Sequence, residues 1–290
     1  MTTGQPAGEA PSSAMRDPAP ASTAPAPSRG WALVTGACSG IGLEISRELA
    51  RRGYPLVLVS NQEEALGAAA SSLTAECGVS THPVTMDLAT PEAASLLYDE
   101  LRQHGIDVDI LVSNAGILMF GEVATADPDR ANTLLQLHVV TPSLLATYFG
   151  RGMRARRHGH ILFMSSISAN RDMPGIAHYG SSKRYLRSFA TSLREELRPW
   201  GVKVTCVMPG AVATNLYGRA SVRVQTAVKY RVMMLPEDVA KVAVRAMFAG
   251  RATVVPGVLA KIMNAAMKFT PRPVIRFVQD HSDWLSRPPG

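Results

Sequence analysis

A short apolar segment, Trp31-Ala32-Leu33-Val34-Thr35, runs directly into the glycine-rich stretch Gly36-Ala37-Cys38-Ser39-Gly40-Ile41-Gly42, and helical periodicity begins at Leu43. This succession of strand, glycine turn and helix leaves few architectures open, because it is the entry to a parallel βαβ unit whose helix start offers free N–H groups to an anion. The alternation continues downstream. Leu56 to Ser60, Ser80 to Met86, Ile110 to Ser113, His160 to Ser165 and Lys203 to Met208 read as strands, with Thr253 to Val255 as a candidate last one. Gly40 to Arg52, Gln62 to Cys77, Pro91 to Gln103, Pro128 to Arg156, Ala177 to Pro199 and Pro236 to Ala249 carry apolar residues at helical spacing. The pattern predicts an α/β fold: a doubly wound parallel sheet of the Rossmann type, in three α/β/α layers and a single domain. Ligands of such sheets bind beyond the carboxyl ends of the strands, where the motifs below fall.

A chain of 290 residues suits one large domain with tails. Residues 1–28 are dominated by Ala, Pro, Ser, Thr and Gly and are expected to be a disordered extension, since they bury too little to offset their ordering entropy. Residues 29–256 form the expected domain, and 257–290 a basic helical extension packing on that domain or on a partner subunit. The first stretch lacks the basic start and apolar core of a secretory signal, and no apolar run is long enough to span a bilayer. Cys38, Cys77 and Cys206 are too widely spaced for a zinc site or a dithiol motif, so no metal is expected and a reducing cytoplasm is the simplest compartment. The formal charge of +7 invites a nucleic-acid reading, but the last fifty residues hold eight Lys or Arg against Asp280 and Asp283. A second cluster, Arg151, Arg154, Arg156 and Arg157, has no interleaved aromatics and reads as a solvated loop. No nucleic-acid partner is expected.

In the glycine turn, Gly36 permits the tight bend, while Gly40 and Gly42 let backbone approach a pyrophosphate and pack helix on sheet. Cys38 is either a small filler or a thiol at a helix start. The second strand ends in Ser60-Asn61-Gln62, with no carboxylate to demand a free ribose 2′-OH and no Arg to neutralise a 2′-phosphate. Hydroxyl and amide donors there favour NADP(H) while leaving NAD open. Tyr179 and Lys183 stand one helical turn apart, so an ammonium on the same face can favour the phenolate of a group whose reference pKa is about 10. With Ser166 upstream, these side chains can assemble a proton donor for carbonyl reduction.

Taken in order, Thr35-Gly36-x-x-x-Gly40-Ile41-Gly42, Ser113-Asn114-Ala115-Gly116, Ser166, Tyr179-x-x-x-Lys183 and Pro209-Gly210-x-x-x-Thr214 resemble the short-chain dehydrogenase/reductase family, in its compact single-domain type, from about Gly30 to Ala249. The resemblance implies that Tyr179 is the general acid/base, that Lys183 lowers its pKa and binds the nicotinamide ribose, and that Ser166 orients the substrate oxygen. It further implies that Ser39 lies where some NADP-dependent relatives carry a basic residue. Asp87-Leu88 resembles the pair at the adenine edge, although Asp87 reads equally as a cap before Pro91. Val212 and Thr214 resemble the groups that meet the carboxamide. The family usually completes its relay with an asparagine in a context like Leu-Asn-Val, and this chain has Leu137-His138-Val139. His138 is therefore read either as a relay group or as a buried histidine that packs.

The stretch from Thr214 to Leu235, with Leu216, Tyr217, Met233 and Met234, corresponds to the family's substrate lid, and Met119, Phe120 and Met173 are expected near an apolar, adaptable pocket. From Val258 to Phe269 an apolar stripe of Val258, Leu259, Ile262, Met263, Ala266 and Met267 opposes Lys261, Asn264 and Lys268. It predicts a helix that closes a pocket, meets another subunit or touches a membrane surface, the last less favoured. The expected activity is NAD(P)(H)-dependent interconversion of a carbonyl and a secondary alcohol on a lipid-, polyketide- or terpenoid-like small molecule, by a homodimer or homotetramer. The alternatives are a catalytically weak dinucleotide-binding sensor or partner protein, and a 3-ketoacyl reductase acting on carrier-tethered substrate.

Overall fold

A computed structural model of the protein describes Met1 and residues 29–214, 233–274 and 277. Seven strands form one sheet: β1 (Trp31–Thr35), β2 (Leu56–Ser60), β3 (Thr81–Thr85), β4 (Val108–Ser113), β5 (Gly159–Met164), β6 (Val202–Val207) and β7 (Thr253–Val254). Their order is β3-β2-β1-β4-β5-β6-β7 and every pairing is parallel. The helices that follow are α1 (Gly40–Ala50), α2 (Glu63–Cys77), α3 (Ala93–Gln103), α4 (Pro128–Leu135), α5 (Thr141–Arg156), α6 (Ala177–Leu197), α7 (Pro236–Phe248) and α8 (Val258–Phe269).

Alternation along the strands sorts side chains between two apolar layers. Leu33, Val57, Val59 and Leu111 face the layer made by α3, α5 and α6, where Leu97, Leu145, Phe149 and Leu186 are buried. Ala32, Val34, Leu56, Leu58, Ile110 and Val112 face the layer made by α1, α2 and α7, where Ile45, Leu49, Leu66 and Val244 are buried. Covered on both faces, the central strands are the near-continuous apolar runs that the sequence shows. Pro83, which has no N–H for a ladder, falls on the edge strand β3. Strand order reverses between β1 and β4, and the crevice beyond their carboxyl ends is where the candidate site lies.

One helix departs from its expected form. The run from Pro128 to Arg156 is continuous in periodicity, but the structure interrupts it with a π-turn over Gln136–Val140, across which the Thr141 N–H reaches back to the Gln136 carbonyl. Pro142 explains part of this, since it has no N–H to return to the His138 carbonyl four residues earlier. The start of α4 follows ordinary capping: Asp127 accepts from the Asp129 N–H and Pro128 takes the first turn.

The carboxyl-terminal helix α8 forms as expected, but its apolar stripe points outward. Val258 is 74% exposed and Ile262 61%, while the small Ala260 is buried against the body. The Asn264 side-chain oxygen accepts from the Asn170 amide, and Arg171 donates to the Thr270 carbonyl. None of the described helices is long and apolar enough to cross a membrane. Residues 2–28, and with them the expected extension, lie outside the described residues, as do Leu216 and Tyr217.

Candidate active site

The floor of the site is a hydrogen-bond knot that ties β1 to β4 across 79 residues of sequence. Buried Thr35 offers its hydroxyl oxygen to the Asn114 N–H at 2.9 Å and the Ala115 N–H at 3.1 Å, and donates to the Val112 carbonyl at 3.3 Å. The Asn114 side-chain amide in turn donates to the carbonyls of Thr35 and Gly36, at 3.0 and 3.3 Å. The exit of β4 is thus locked to the start of the glycine turn. Gly36 adopts φ +65°, which side chains with a Cβ rarely take. A Cβ on Gly42 would fall 2.0 Å from the Gly36 carbonyl oxygen, so this turn closes only around glycine.

Above that floor the first turn of α1 presents N–H groups with no acidic side chain among them, and Ser39 makes no side-chain cap bond. This donor set fits a pyrophosphate. At the exit of β2, the Ser60 hydroxyl sits 3.1 Å from the Cys38 sulfur and accepts from the Gln62 N–H at 3.2 Å. Ser39, Asn61 and Gln62 are exposed and line the cleft. Asp87 also lines it while its carboxylate accepts from the Ala89 N–H at 3.0 Å, which makes it the cap of a local turn, while α3 takes Glu92 at its N-cap.

The catalytic candidates meet on the other side of the same cleft. Ser166 follows β5, and its hydroxyl oxygen accepts from the Ser168 N–H at 3.2 Å. Ser165 donates to the Lys183 carbonyl at 2.7 Å, holding α6 against the end of β5. Lys183 is 5% exposed; its ammonium donates to the Met164 carbonyl at 3.0 Å and lies 5.7 Å from the centre of the Tyr179 ring. Burial brings its pKa down to about 8, so the ammonium remains mostly charged at neutral pH. His138, fully buried at the π-turn, has a ring nitrogen on each side engaged: Nε2 accepts from the Ile117 N–H at 3.0 Å, and Nδ1 lies 3.0 Å from the Ser182 hydroxyl. Burial and the nearby Lys183 charge hold its imidazole neutral, well below the usual histidine range.

One cleft of about 1470 Å³ gathers nearly all of the expected residues: Gly36, Cys38, Ser39, Gly40 and Ile41; Ser60 and Asn61; Asp87 and Leu88; Asn114, Ala115 and Gly116; His138, Ser166, Tyr179 and Lys183; Pro209, Gly210, Val212 and Thr214. Gly42 lies beneath it. That volume exceeds the 300–1,000 Å³ or so of an ordinary small-molecule pocket and leaves room for a dinucleotide with a substrate beside it. Ile117, Leu118, Met119, Phe120, Ile176 and Met233 add an apolar wall. Met173 is not among the lining residues, and Met234 serves the backbone instead, pairing with Val212 through the Ala213 and Met234 N–H groups. Thr214 stands over the glycine turn: a Cβ on Gly40 would lie 3.1 Å from its methyl group. Sequence reading passed over two contributors, Thr35 as a buried knot and Ser182 as a partner of His138, because both act through contacts far apart in the chain.

The sequence model of the short chain dehydrogenase family matches residues 30–224. Over 189 residues the chain is 35% identical to "Dehydrogenase/reductase SDR family member 7B" of Bos taurus, an alignment covering 63% of this chain and 58% of that one. It is 33% identical over 192 residues to the "Very-long-chain 3-oxoacyl-CoA reductase" of Phaeosphaeria nodorum, covering 64% and 56%. The chain therefore spans between half and two thirds of the length of these two relatives. Among solved structures, a short-chain dehydrogenase from Sphingobium yanoikuyae in complex with NADPH superposes with a TM-score of 0.72 at 25% identity, over 84% of this chain and 97% of that one.

Proposed function

Because the chain belongs to the short-chain dehydrogenase family, we propose that it is an NADP(H)-preferring oxidoreductase that interconverts a ketone and a secondary alcohol on an apolar substrate, with Tyr179 as the proton donor. The observation that carries this reading is the convergence of Ser166, Tyr179 and Lys183 on the cleft that the glycine turn opens into.

A reduced nicotinamide dinucleotide held there would supply a hydride, one proton carrying two electrons, to the carbonyl carbon. As the carbonyl π bond breaks, negative charge collects on oxygen and has to be met by a donor. Ser166 donates a hydrogen bond to that oxygen, and Tyr179 transfers its phenolic proton to it, leaving the alcohol and a phenolate. The Lys183 ammonium, one helical turn away, favours the phenolate electrostatically and stays protonated because its own pKa remains above neutrality. Thr35 and Asn114 hold the glycine turn and the exit of β4 at fixed separation, so that cofactor and substrate are presented from a rigid floor.

The cofactor preference rests on Ser39 in the glycine turn and on Asn61 and Gln62 at the exit of β2, hydrogen-bonding groups with no carboxylate among them, and on the NADPH bound in the Sphingobium structure. The substrate class rests on the apolar wall from Ile117 to Phe120 and on the name of the fungal relative, which together favour a 3-oxoacyl thioester or a comparably long, apolar ketone. Purified protein with NADPH and a panel of 3-oxoacyl thioesters, bulky cyclic ketones and short polar ketones tests it. Oxidation of NADPH with long apolar substrates, and at least about tenfold faster than with NADH, supports the reading. Tight NADPH binding with no carbonyl reduced in any class would instead favour a dinucleotide-binding sensor.

A further inference from the structure

We propose that His138 is a positioning residue, a neutral clamp whose two ring nitrogens tie the Gly116–Ile117 loop of the cleft to the Tyr179 turn of α6 through Ser182, and that no proton passes through its ring. This rests on the reductase reading for what the clamp is for, but not for its geometry.

The hydrogen bonds admit one arrangement of protons. The Ile117 N–H is a donor, so the His138 Nε2 that faces it at 3.0 Å accepts and carries no hydrogen. In a neutral ring the proton is then on Nδ1, which donates to the Ser182 oxygen at 3.0 Å. That oxygen spends its own proton on the Tyr179 carbonyl at 2.8 Å. The chain of donors runs in one direction, from the Ile117 amide to the backbone of Tyr179, and ends on a carbonyl. A relay would need a nitrogen open to water or to Lys183, and both are taken. Protonating Nε2 would set two donors face to face at Ile117, and burial together with Lys183 already disfavours an imidazolium. Packing agrees with the hydrogen bonds. The ring is wholly buried, lies edge-on to the Tyr179 ring at 5.8 Å between centroids, and leaves no room for a side chain on Gly116, whose Cβ would sit 2.7 Å from Nε2. The π-turn is what carries the ring to this place: it adds a residue to the helix at Gln136–Val140.

Histidine is the side chain that serves both ends. Asparagine reproduces the Nδ1 position and reaches Ser182 without reaching Ile117; glutamine reproduces the Nε2 position and reaches Ile117 without reaching Ser182. The test uses these half-clamps with the smaller Ser182→Ala, which stays interpretable where a buried His138 variant folds poorly. Selective ¹⁵N-histidine labelling of the full chain gives the first readout, independent of turnover: His138 shows Nδ1 protonated and Nε2 bare, unchanged from pH 5 to pH 9. An Nε2–H tautomer, or an imidazolium titrating in that window, overturns the clamp. The second readout is kinetic. His138→Asn, His138→Gln and Ser182→Ala each lower kcat about tenfold while KM for NADPH moves less than about threefold, and Ser182→Ala adds nothing to His138→Gln, because both sever the same link. Additive losses, or full kcat in Ser182→Ala, overturn it. If wild-type protein reduces no ketone, the reductase reading fails while the tautomer readout still decides the clamp.

Discussion

Replacing Thr35 by valine removes one hydroxyl and keeps the shape, and the structure says what that hydroxyl holds. Its oxygen is the acceptor for two backbone N–H groups, those of Asn114 and Ala115, at 2.9 and 3.1 Å. Leaving a buried donor unsatisfied costs about 1–3 kcal/mol, so two such donors set a ceiling near 6 kcal/mol. Asn114 and Ala115 are half-buried and border the cleft, where water can take over part of the bonding, and this puts the expected loss near the lower end, about 2–3 kcal/mol. Thr35→Ser keeps the acceptor and sheds one methyl group, a loss of about 1 kcal/mol. Urea unfolding of the three proteins measures this directly: the midpoint falls for Thr35→Val with an unchanged slope, and by half as much or less for Thr35→Ser. The valine variant should also bind NADPH more weakly, since the Asn114 amide that braces Gly36 hangs on the same knot. If Thr35→Val loses less than about 0.5 kcal/mol, or if the serine variant loses as much as the valine, the hydroxyl does not hold the floor of the site.

Three further outcomes follow from the same geometry. Lys183 has a folded pKa of about 8 against an ordinary 10.5, so the unfolded chain binds more protons between those values and stability rises with pH across that window. Lys183→Met should therefore be more stable than the wild type below pH 8 by up to about 3 kcal/mol, with the gap closing by pH 10.5; a gap independent of pH contradicts the assigned burial. Gly42→Ala, whose Cβ would meet the Gly36 oxygen at 2.0 Å, should cost about 1–3 kcal/mol of stability and weaken NADPH binding at least about tenfold by fluorescence titration, whereas unaltered affinity would mean that the turn is not the cradle. Asn61→Asp, at the exposed exit of β2, should weaken NADPH about tenfold and leave NADH within about threefold; equal losses for the two would remove Asn61 from the 2′-phosphate end of the site.

Much of this architecture is legible in the sequence because local signals and the global fold agree. The step from Trp31–Thr35 into glycines and helix fixes one βαβ unit, and the apolar runs at Leu56, Ile110 and Lys203 repeat the pattern at the strands the structure contains. The motifs fall on one cleft because the glycine turn, Asn114–Gly116, Ser166 and Pro209–Gly210 follow the carboxyl ends of strands, α6 brings Tyr179 and Lys183 against the end of β5, and the strand order reverses between β1 and β4. What could not be read depends on pairs distant in the chain or on faces that periodicity leaves equivalent. Helical spacing from Pro128 to Arg156 tolerates the one-residue excess at Gln136–Val140, and the only hint was Pro142, whose missing N–H disturbs the ladder behind it. At α8 the amphipathic pattern identifies a stripe but not its neighbour. The helix rests on Ala260 because a small residue permits close approach to Gly210, whose Cβ would lie 3.1 Å from that of Ala260, and the larger apolar side chains turn outward. The His138 partnership joins three elements, and nothing in Leu137-His138-Val139 announces Ser182 or Ile117.

The central claim is that Tyr179 gives up the proton that completes carbonyl reduction. Tyr179→Phe removes one oxygen and leaves the ring edge-on to His138 and packed on the cluster of Met119, Ala131 and Leu134, so single-turnover oxidation of bound NADPH by the best ketone of the panel isolates that step. The account predicts a fall of at least about a hundredfold in that rate with NADPH affinity within about threefold of the wild type. Oxidation at the wild-type rate in Tyr179→Phe would contradict it.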